Sequence, residues 1–307
     1  MAYPKVNWIT NGQDWSDYRP AIASDGKTIL FERSAAMHTR MLYRLVIDSG
    51  KDPAPFLPHL AGAQSRPGWC WKNDVIAFNL SKDNATSVYT VGGDGKNPTE
   101  VPKSDGFLYP QWDASGESLT VMNKSKSAVP DRCTCVINKN GVMLQPNVNG
   151  SDSKGKPMFG GMPAVNPLHA DRIAFAGQPN WEAHYNQDKN YIFLNHFDGT
   201  KYTSSPMEPQ APIGAFHASF QGRAPAWSPN GRYVVFESDR RGGGYALFLF
   251  DTRNPSDPAV QLTDPKANPA QHAKWYPDGW CVIFCANPPH HPNNFAIAYI
   301  VISDYVS

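Results

Sequence analysis

The segment APAWSPNGRYVVFESDR, residues 224–240, contains the phrase from which the fold can be predicted. Five weaker copies occur elsewhere: RPAIASDGKTILFERS (19–34), RPGWCWKNDVIAFNLS (66–81), YPQWDASGESLTVMNK (109–124), MPAVNPLHADRIAFAG (162–177) and HAKWYPDGWCVIFCAN (272–287). Successive copies begin 43 to 62 residues apart and account for nearly the whole chain. A strand-rich repeat with a period of about 40–50 residues predicts a radial array of β-sheets.

Each copy predicts four antiparallel strands, which is the content of a propeller blade. In the fifth copy a first strand ends at the turn 229–231, and further strands follow at 233–236, 246–250 and 260–262. The N-terminal phrase KVNWIT resembles the fourth-strand phrase VQLT, so we expect it to complete the last blade and close the ring. The sequence thus predicts an all-β, six-bladed propeller. Residues 1–307 form a single domain, with repeats starting near residues 19, 66, 109, 162, 224 and 272.

The PAWSPNG…VVFESDR phrase resembles the TolB-type repeat, also called PD40 or WD40-like, of six-bladed β-propellers. The resemblance extends over essentially the full chain and is closest in the fifth copy. It implies the propeller fold and a recognition role, in which variable loops on a rigid scaffold bind a partner or ligand.

Composition excludes several classes of function. The formal net charge is +1 without a basic block, which argues against nucleic-acid binding. No apolar run is long enough for a membrane span, and no signal peptide is visible. The expected compartment is therefore the cytoplasm, or the periplasm if a leader was removed. The five cysteines lack paired spacing and predict reduced thiols.

Polar residues cluster where each first strand begins, which is the mouth of the central channel in a propeller. The candidate ligand-binding residues there are Arg19, Arg66, Tyr109, Arg223, His272 and Lys274. Because arginine binds planar anions bidentately, this set predicts a site for a carboxylate, uronate or phosphate. The alternative is that the cations form ion pairs with nearby carboxylates and tie blades together; the candidates are Asp17, Glu32, Glu237 and Asp239.

Histidines suggest a second kind of site on the same face. The candidate metal ligands are His217, His272, His290 and His291, with His184 in a long loop nearby. Imidazoles with a carboxylate would hold zinc, manganese or calcium. Gln271 and His272 resemble part of the His-rich metal site of oligogalacturonate lyases, which are TolB-type propellers that cleave uronate polymers.

Two other features are interpreted as scaffold. Trp69, Trp112, Trp227 and Trp275 recur at one repeat position and predict packing between blades. The glycine-rich loop at 239–244 joins two antiparallel strands and predicts a hairpin. The leading interpretation is a non-catalytic module that binds a protein partner or an anionic small ligand, such as an acidic saccharide, at the mouth. The alternative is a metal-dependent enzyme, above all a lyase acting on uronate saccharides.

Overall fold

The computed structural model describes residues 3–35, 39–124, 132–179, 190–208 and 220–306. Within these residues the chain forms six four-stranded antiparallel sheets, which are the blades of a propeller. The second strands are rich in β-branched and aromatic residues, which fit a pleated surface that is covered on both faces. In Tyr233–Ser238 every residue is buried. The predicted fold class is confirmed.

The first three blades follow one another along the chain. Blade 1 contains β2 (Ser16–Ile22), β3 (Thr28–Ser34), β4 (Met41–Val46) and β5 (Ala54–Pro55). Blade 2 contains β6 (Ala63–Cys70), β7 (Val75–Lys82), β8 (Ala85–Gly92) and β9 (Thr99–Glu100). Blade 3 contains β10 (Phe107–Trp112), β11 (Ser118–Asn123), β12 (Cys133–Asn138) and β13 (Met143–Gln145).

The other three blades have the same order of strands. Blade 4 contains β14 (Met158–Val165), β15 (Ile173–Pro179), β16 (Tyr191–Phe197) and β17 (Tyr202–Pro206). Blade 5 contains β18 (Gly222–Trp227), β19 (Tyr233–Ser238), β20 (Ala246–Asp251) and β21 (Val260–Gln261). Blade 6 contains β22 (Ala270–Trp275), β23 (Cys281–Ala286), β24 (Ala296–Val301) and the N-terminal β1 (Asn7–Trp8).

The N-terminal strand closes the ring, as the sequence predicts. Asn7 pairs with Tyr299 and Trp8 with Ala298, so β1 is the outer strand of blade 6. Each first strand also contacts the first strand of the next blade, and β22 contacts β2. The ring is therefore continuous, and the six first strands surround a central channel.

The hydrophobic core lies between neighbouring blades. Phe31 of blade 1 and Ile283 of blade 6 are fully buried in one cluster, and Val235 and Phe284 join blades 5 and 6 in another. Because each blade presents both faces to its neighbours, its apolar residues need not alternate with polar ones. The ring as a whole, rather than any single blade, excludes water from this core.

The four recurring tryptophans belong to this packing, as predicted. Each of them contacts a hydrophobic cluster: Trp69, Trp112, Trp227 and Trp275. The indole N–H of Trp275 donates to the carbonyl oxygen of Ala226 in blade 5 at 3.0 Å. Trp227 donates in the same way to Ala164 in blade 4 at 3.1 Å. These bonds join adjacent blades at the level where their aromatic rings pack.

The predicted turn at 229–231 also contacts its neighbour. Gly231 has a φ of +64°, and an added Cβ would lie 2.7 Å from the side-chain oxygen of Asn166 in blade 4. The Asn166 side-chain amide donates to the Gly231 carbonyl at 2.9 Å. Glycine is therefore required here both for its backbone conformation and for the close approach of the two blades.

None of the five cysteines forms a disulfide, as their spacing predicts. No helix among the described residues is long and apolar enough to cross a membrane.

Candidate functional site

Every first strand contains a β-bulge at the repeat position that begins the shared phrase. In blade 1 the pairing of β2 with β3 skips Arg19 and Pro20, which together face Phe31. The first bulge residue has a φ between 46° and 56° in all six blades: Arg19, Arg66, Tyr109, Met162, Ala224 and His272. A left-handed backbone costs a non-glycine residue about 1–2 kcal/mol. The ring imposes this cost six times at the same level of the channel.

Hydrogen bonds from the preceding blade hold several of these bulges. In three blades the bulge amide donates to a side chain on the second strand of the preceding blade. The pairs are Arg66 to Glu32 at 2.7 Å, Tyr109 to Asn79 at 3.1 Å and His272 to Glu237 at 2.5 Å. The bulge position is thus fixed by contacts between neighbouring blades.

The bulges line the central channel at its mouth. All six bulge residues border one narrow cavity, together with Gln111 and Lys274 from two of the first strands. The free volume is about 40 Å³, and a water molecule needs roughly 10–15 Å³ of such space. The channel mouth therefore has room for a few waters or for one small group of a ligand.

One candidate does not lie at the bulge. Arg223 precedes the shared phrase by one residue, and the bulge residue of blade 5 is Ala224. Arg223 pairs directly with Glu237 across the sheet and does not border the channel cavity. The five remaining candidates for ligand binding do border it: Arg19, Arg66, Tyr109, His272 and Lys274.

Two of the predicted cations form ion pairs with buried carboxylates. Arg19 contacts Glu32 at 3.1 Å, and Arg40 reaches the same carboxylate at 3.0 Å. Arg223 forms an ion pair with Glu237, and its guanidinium also donates to Gln271 of blade 6 at 2.9 Å. Burial raises the pKa of Glu237, and the positive charge of Arg223 opposes that increase. These arginines therefore act as struts within and between blades, which is the alternative left open by the sequence.

Of the other candidate carboxylates, Asp17 pairs with Arg33 at 2.7 Å. Asp239 accepts a hydrogen bond from the backbone amide of Gln221 at 2.5 Å.

Arg66 differs from the other arginines of the mouth. It forms no ion pair with any carboxylate among the described residues, and its guanidinium donates to the Ser65 hydroxyl at 3.2 Å. Its guanidinium carbon lies 4.6 Å from the centre of the Tyr109 ring, a distance typical of a cation–π contact. Its Nε is buried without a hydrogen-bond partner. Arg66 thus has donors that a ligand can use.

Arg66 also borders two clefts beside the channel. We call the first the blade 3–4 cleft; its volume is about 250 Å³. Its polar lining consists of Arg66, Tyr109, Lys124, Arg132, Gln178 and Asn190, and no described carboxylate borders it. The second cleft, of about 670 Å³, is bordered by Arg66 and Arg40 but also by Asp14. Among the described residues, the blade 3–4 cleft is therefore lined by three cations and no carboxylate.

Lys124 and Arg132 were missed by the sequence analysis. They flank the connection between β11 and β12, that is, between the second and third strands of blade 3. In a propeller this connection lies at the same mouth as the start of the first strand. Inspection of those loops for cations would have found both residues.

The imidazole of His272 is buried and hydrogen-bonded to another side chain of the protein. Its Nε2 lies 3.0 Å from the Tyr18 hydroxyl oxygen, and Tyr18 donates its own hydrogen to Gln271 at 2.7 Å. His272 therefore donates from Nε2. Burial, followed by the charges of Arg19, Arg223 and further cations, holds the pKa of His272 well below its usual value of 6.5. The imidazole is neutral at physiological pH.

Lys274 and Gln111 form a bridge across the channel. They occupy the same repeat position in blades 6 and 3, which lie opposite each other in the ring, and Lys274 Nζ donates to Gln111 Oε1 at 3.1 Å. In the other blades this position holds a small residue: Ala21, Gly68, Ala164 and Ala226. Burial lowers the pKa of Lys274 to about 8.

The structure does not assemble a metal site from the histidines that it describes. His290 is exposed and His291 is partly buried, whereas His272 is buried against Tyr18. Across the described ranges, no group of three or more His, Cys, Asp or Glu residues is placed to hold a metal ion. His184 and His217 lie outside the described residues. The proposed ligand set therefore stays a prediction.

Comparison with known proteins was made at three levels. No family model matches the sequence, and no curated protein matches it significantly. Among solved structures, a putative TolB from Agrobacterium tumefaciens has a TM-score of 0.65 at 16% identity. The match covers 98% of this chain and 99% of that one. TolB from Acinetobacter baumannii has a TM-score of 0.57 at 13% identity. That match covers 85% of this chain and only 57% of the Acinetobacter chain.

A third similar structure is the oligogalacturonate lyase from Vibrio parahaemolyticus. Its TM-score is 0.55 at 12% identity, with 99% of this chain and 95% of that chain covered. At such identities the similarity extends to the fold and not to the chemistry. The chain has the six-bladed β-propeller fold of the TolB-like structures.

Proposed function

We propose that this propeller is a non-catalytic recognition module that binds an anionic group at the mouth of its channel. The group belongs to a small ligand or to a protein partner. The observation that carries the proposal is Arg66, which borders the channel and the blade 3–4 cleft without forming an ion pair among the described residues. Lys124 and Arg132 add positive charge to the same cleft.

The chemistry of the cleft favours a planar oxyanion. The guanidinium of arginine presents parallel N–H donors that match a carboxylate or phosphate. The ring of Tyr109 lies against the Arg66 guanidinium and limits its rotation. The amides of Gln178 and Asn190 supply further polar contacts for hydroxyl groups of a ligand. An acidic saccharide or an acidic side chain of a partner fits this combination.

A binding role is favoured over catalysis because two carboxylates and one histidine at the mouth are already engaged. Glu32 and Glu237 are buried in ion pairs with arginine. His272 donates to Tyr18 and has its pKa well below neutrality. None of these three side chains is placed as a solvent-accessible acid or base.

Isothermal titration calorimetry tests the proposal with three anionic probes: galacturonate, inorganic phosphate and a short acidic peptide. Galactose is the neutral control. At least one anion should bind, and Arg66→Ala should weaken it about tenfold or more, because hydrogen bonds to charged groups contribute roughly 1.5–3 kcal/mol. Arg253→Ala is the matched control, since Arg253 is exposed and distant in sequence from the mouth. The proposal fails if no anion binds, or if both variants bind equally well.

The second candidate function is a metal-dependent lyase acting on uronate saccharides. Its support is the similarity of fold to a lyase, together with the basic mouth. Elemental analysis of the purified protein is the direct test, combined with His217→Ala and His272→Ala. A stoichiometric zinc, manganese or calcium ion that is lost in these variants would support the lyase. Metal-free protein that does not cleave polygalacturonate after incubation with these ions would contradict it.

A further inference from the structure

The channel contains a second chamber beyond the Lys274–Gln111 bridge. We call it the aromatic chamber. Its lining includes five tryptophans: Trp69, Trp71, Trp112, Trp227 and Trp275. Lys274 and Gln111 border both this chamber and the channel mouth, so their bridge forms the boundary between the two. Since the first strands run away from the mouth, the chamber lies towards the opposite face of the ring.

The shape of the chamber suits a single ring. Its free volume is about 130 Å³, and an apolar protein cavity of roughly 150 Å³ is known to bind benzene. Ala164 and Ala226 border the chamber at the repeat position of Lys274, and their small side chains leave its centre open. Trp275 is almost fully buried, whereas the other four tryptophans are partly exposed and can contact a ligand.

Lys274 provides a charge that nothing in the described part of the chain neutralises. It forms no ion pair there, and its hydrogen-bond acceptor is the neutral amide oxygen of Gln111. Two arginines, Arg19 and Arg66, and His272 border the channel on the mouth side of the bridge. The carboxylates Glu32 and Glu237 are paired with Arg19 and Arg223. A buried ammonium without a counter-charge is unfavourable, so a negatively charged ligand group would be stabilised beside it.

The tryptophans supply a second donor. The indole N–H of Trp112 is buried and has no hydrogen-bond partner. Trp71 and Trp227, in contrast, donate to backbone carbonyls of neighbouring blades. Because this nitrogen is also out of reach of solvent, a ligand oxygen bonds to it only when the indole ring turns towards the chamber.

We propose that the aromatic chamber binds a small aromatic carboxylate, with its ring between the tryptophans and its carboxylate on the Lys274 ammonium. Offset or edge-to-face contacts with indole rings favour a flat aromatic body over a branched aliphatic one. This site is separate from the anion site at the mouth, because Arg66 does not border the aromatic chamber.

Benzoate is the probe for a calorimetric titration of the full chain at pH 7. Benzyl alcohol has the same ring without the charge, and acetate has the charge without the ring. Benzoate should bind at least tenfold more tightly than either. In Lys274→Met the preference for benzoate over benzyl alcohol should disappear, whereas Arg66→Ala should leave benzoate affinity unchanged.

Trp112→Phe gives an independent variant that keeps an aromatic wall and removes the indole N–H. It should weaken benzoate binding severalfold. Near-ultraviolet circular dichroism verifies that each variant keeps its packed tryptophans. The proposal is overturned if benzoate does not bind, if Lys274→Met binds it as well as the original protein does, or if Arg66→Ala abolishes binding. The last result would locate the benzoate at the mouth.

Discussion

Replacing Lys274 with methionine removes the positive charge from the centre of the channel while keeping a long unbranched side chain. Burial lowers the pKa of Lys274 from 10.5 to about 8, so the folded protein binds this proton more weakly than the unfolded chain does. Between about pH 8 and pH 10.5 the unfolded state holds more protons. The contribution of Lys274 to the free energy of unfolding therefore rises with pH in this window and is most unfavourable below it.

The magnitude follows from the two pKa values. A difference of about 2.5 pKa units at 1.36 kcal/mol per unit gives a penalty of about 3 kcal/mol at pH 7. At pH 9.5 the amine is already neutral in the folded protein, and about 1.4 kcal/mol of the penalty remains. We therefore expect the stability gained by Lys274→Met, relative to the original protein, to shrink by about 2 kcal/mol between pH 7 and pH 9.5.

Urea denaturation of both proteins at pH 7, 8, 9 and 9.5 measures this difference. The variant and the original protein must be compared at each pH, because thiols with raised pKa values lower the free energy of unfolding as pH rises. Burial raises the pKa of Cys281 to about 11 from an ordinary value of 9.0, so the unfolded state loses this proton first and stability falls as pH rises above about 9. This contribution is common to both proteins and cancels in the difference.

Lys72→Met is the matched control, because Lys72 is exposed. The difference for Lys274→Met should depend on pH more strongly than the difference for Lys72→Met. If the two differences follow the same pH dependence, Lys274 titrates normally in the folded protein. The account of a desolvated amine in the channel would then be wrong.

Three further predictions concern the scaffold. Arg223→Ala leaves the buried Glu237 without its ion pair and should lower the free energy of unfolding by about 3–5 kcal/mol in denaturant titrations. Arg66→Ala should change this free energy by less than about 1 kcal/mol. Equal losses would show that Arg66 is also a strut. Ala224→Gly relieves a non-glycine residue at a φ of 48° and should stabilise the protein by about 0.5–1 kcal/mol; a lower melting temperature would contradict the strain assigned to the bulge. Trp275→Phe removes the indole N–H bond to the neighbouring blade and should cost about 1 kcal/mol or more, and an unchanged denaturation midpoint would show that this bond does not contribute.

The bulges show how the scaffold prepares a functional surface. Because two residues face one at each bulge, the first strand bends, and the side chain of the left-handed residue borders the channel rather than the interface between blades. The type of side chain at this position differs between blades, although its backbone conformation does not. Blade 4 has Met162 and blade 5 has Ala224 there, whereas blades 1 and 2 have arginine. The polarity of the mouth is thus set blade by blade on a constant backbone.

Architecture, strand order and ring closure were all predictable from the sequence. The reason is that repetition makes local signals reliable: a turn with glycine or asparagine and a β-branched second strand recur six times. The resemblance between the N-terminal phrase and a fourth strand was sufficient to predict that β1 completes blade 6.

The partners of the polar side chains were not predictable, because they depend on contacts between distant parts of the chain. Sequence alone left Arg19, Arg66 and Arg223 as equivalent candidates. Two of them pair with buried carboxylates, and the third does not pair with any described carboxylate. Arg223 precedes the shared phrase of blade 5 by one residue, so it pairs with Glu237 across the sheet, and the residue that borders the channel there is Ala224.

The Lys274–Gln111 bridge also depends on a contact between distant parts of the chain. Both residues were visible at one repeat position, but they are 163 residues apart and meet only because blades 3 and 6 face each other across the closed ring. Local sequence sets strand, turn and blade through backbone preferences and apolar pattern. The charge balance of the channel depends on which side chains the ring brings together and on how far it excludes water from them, and both are properties of the folded molecule.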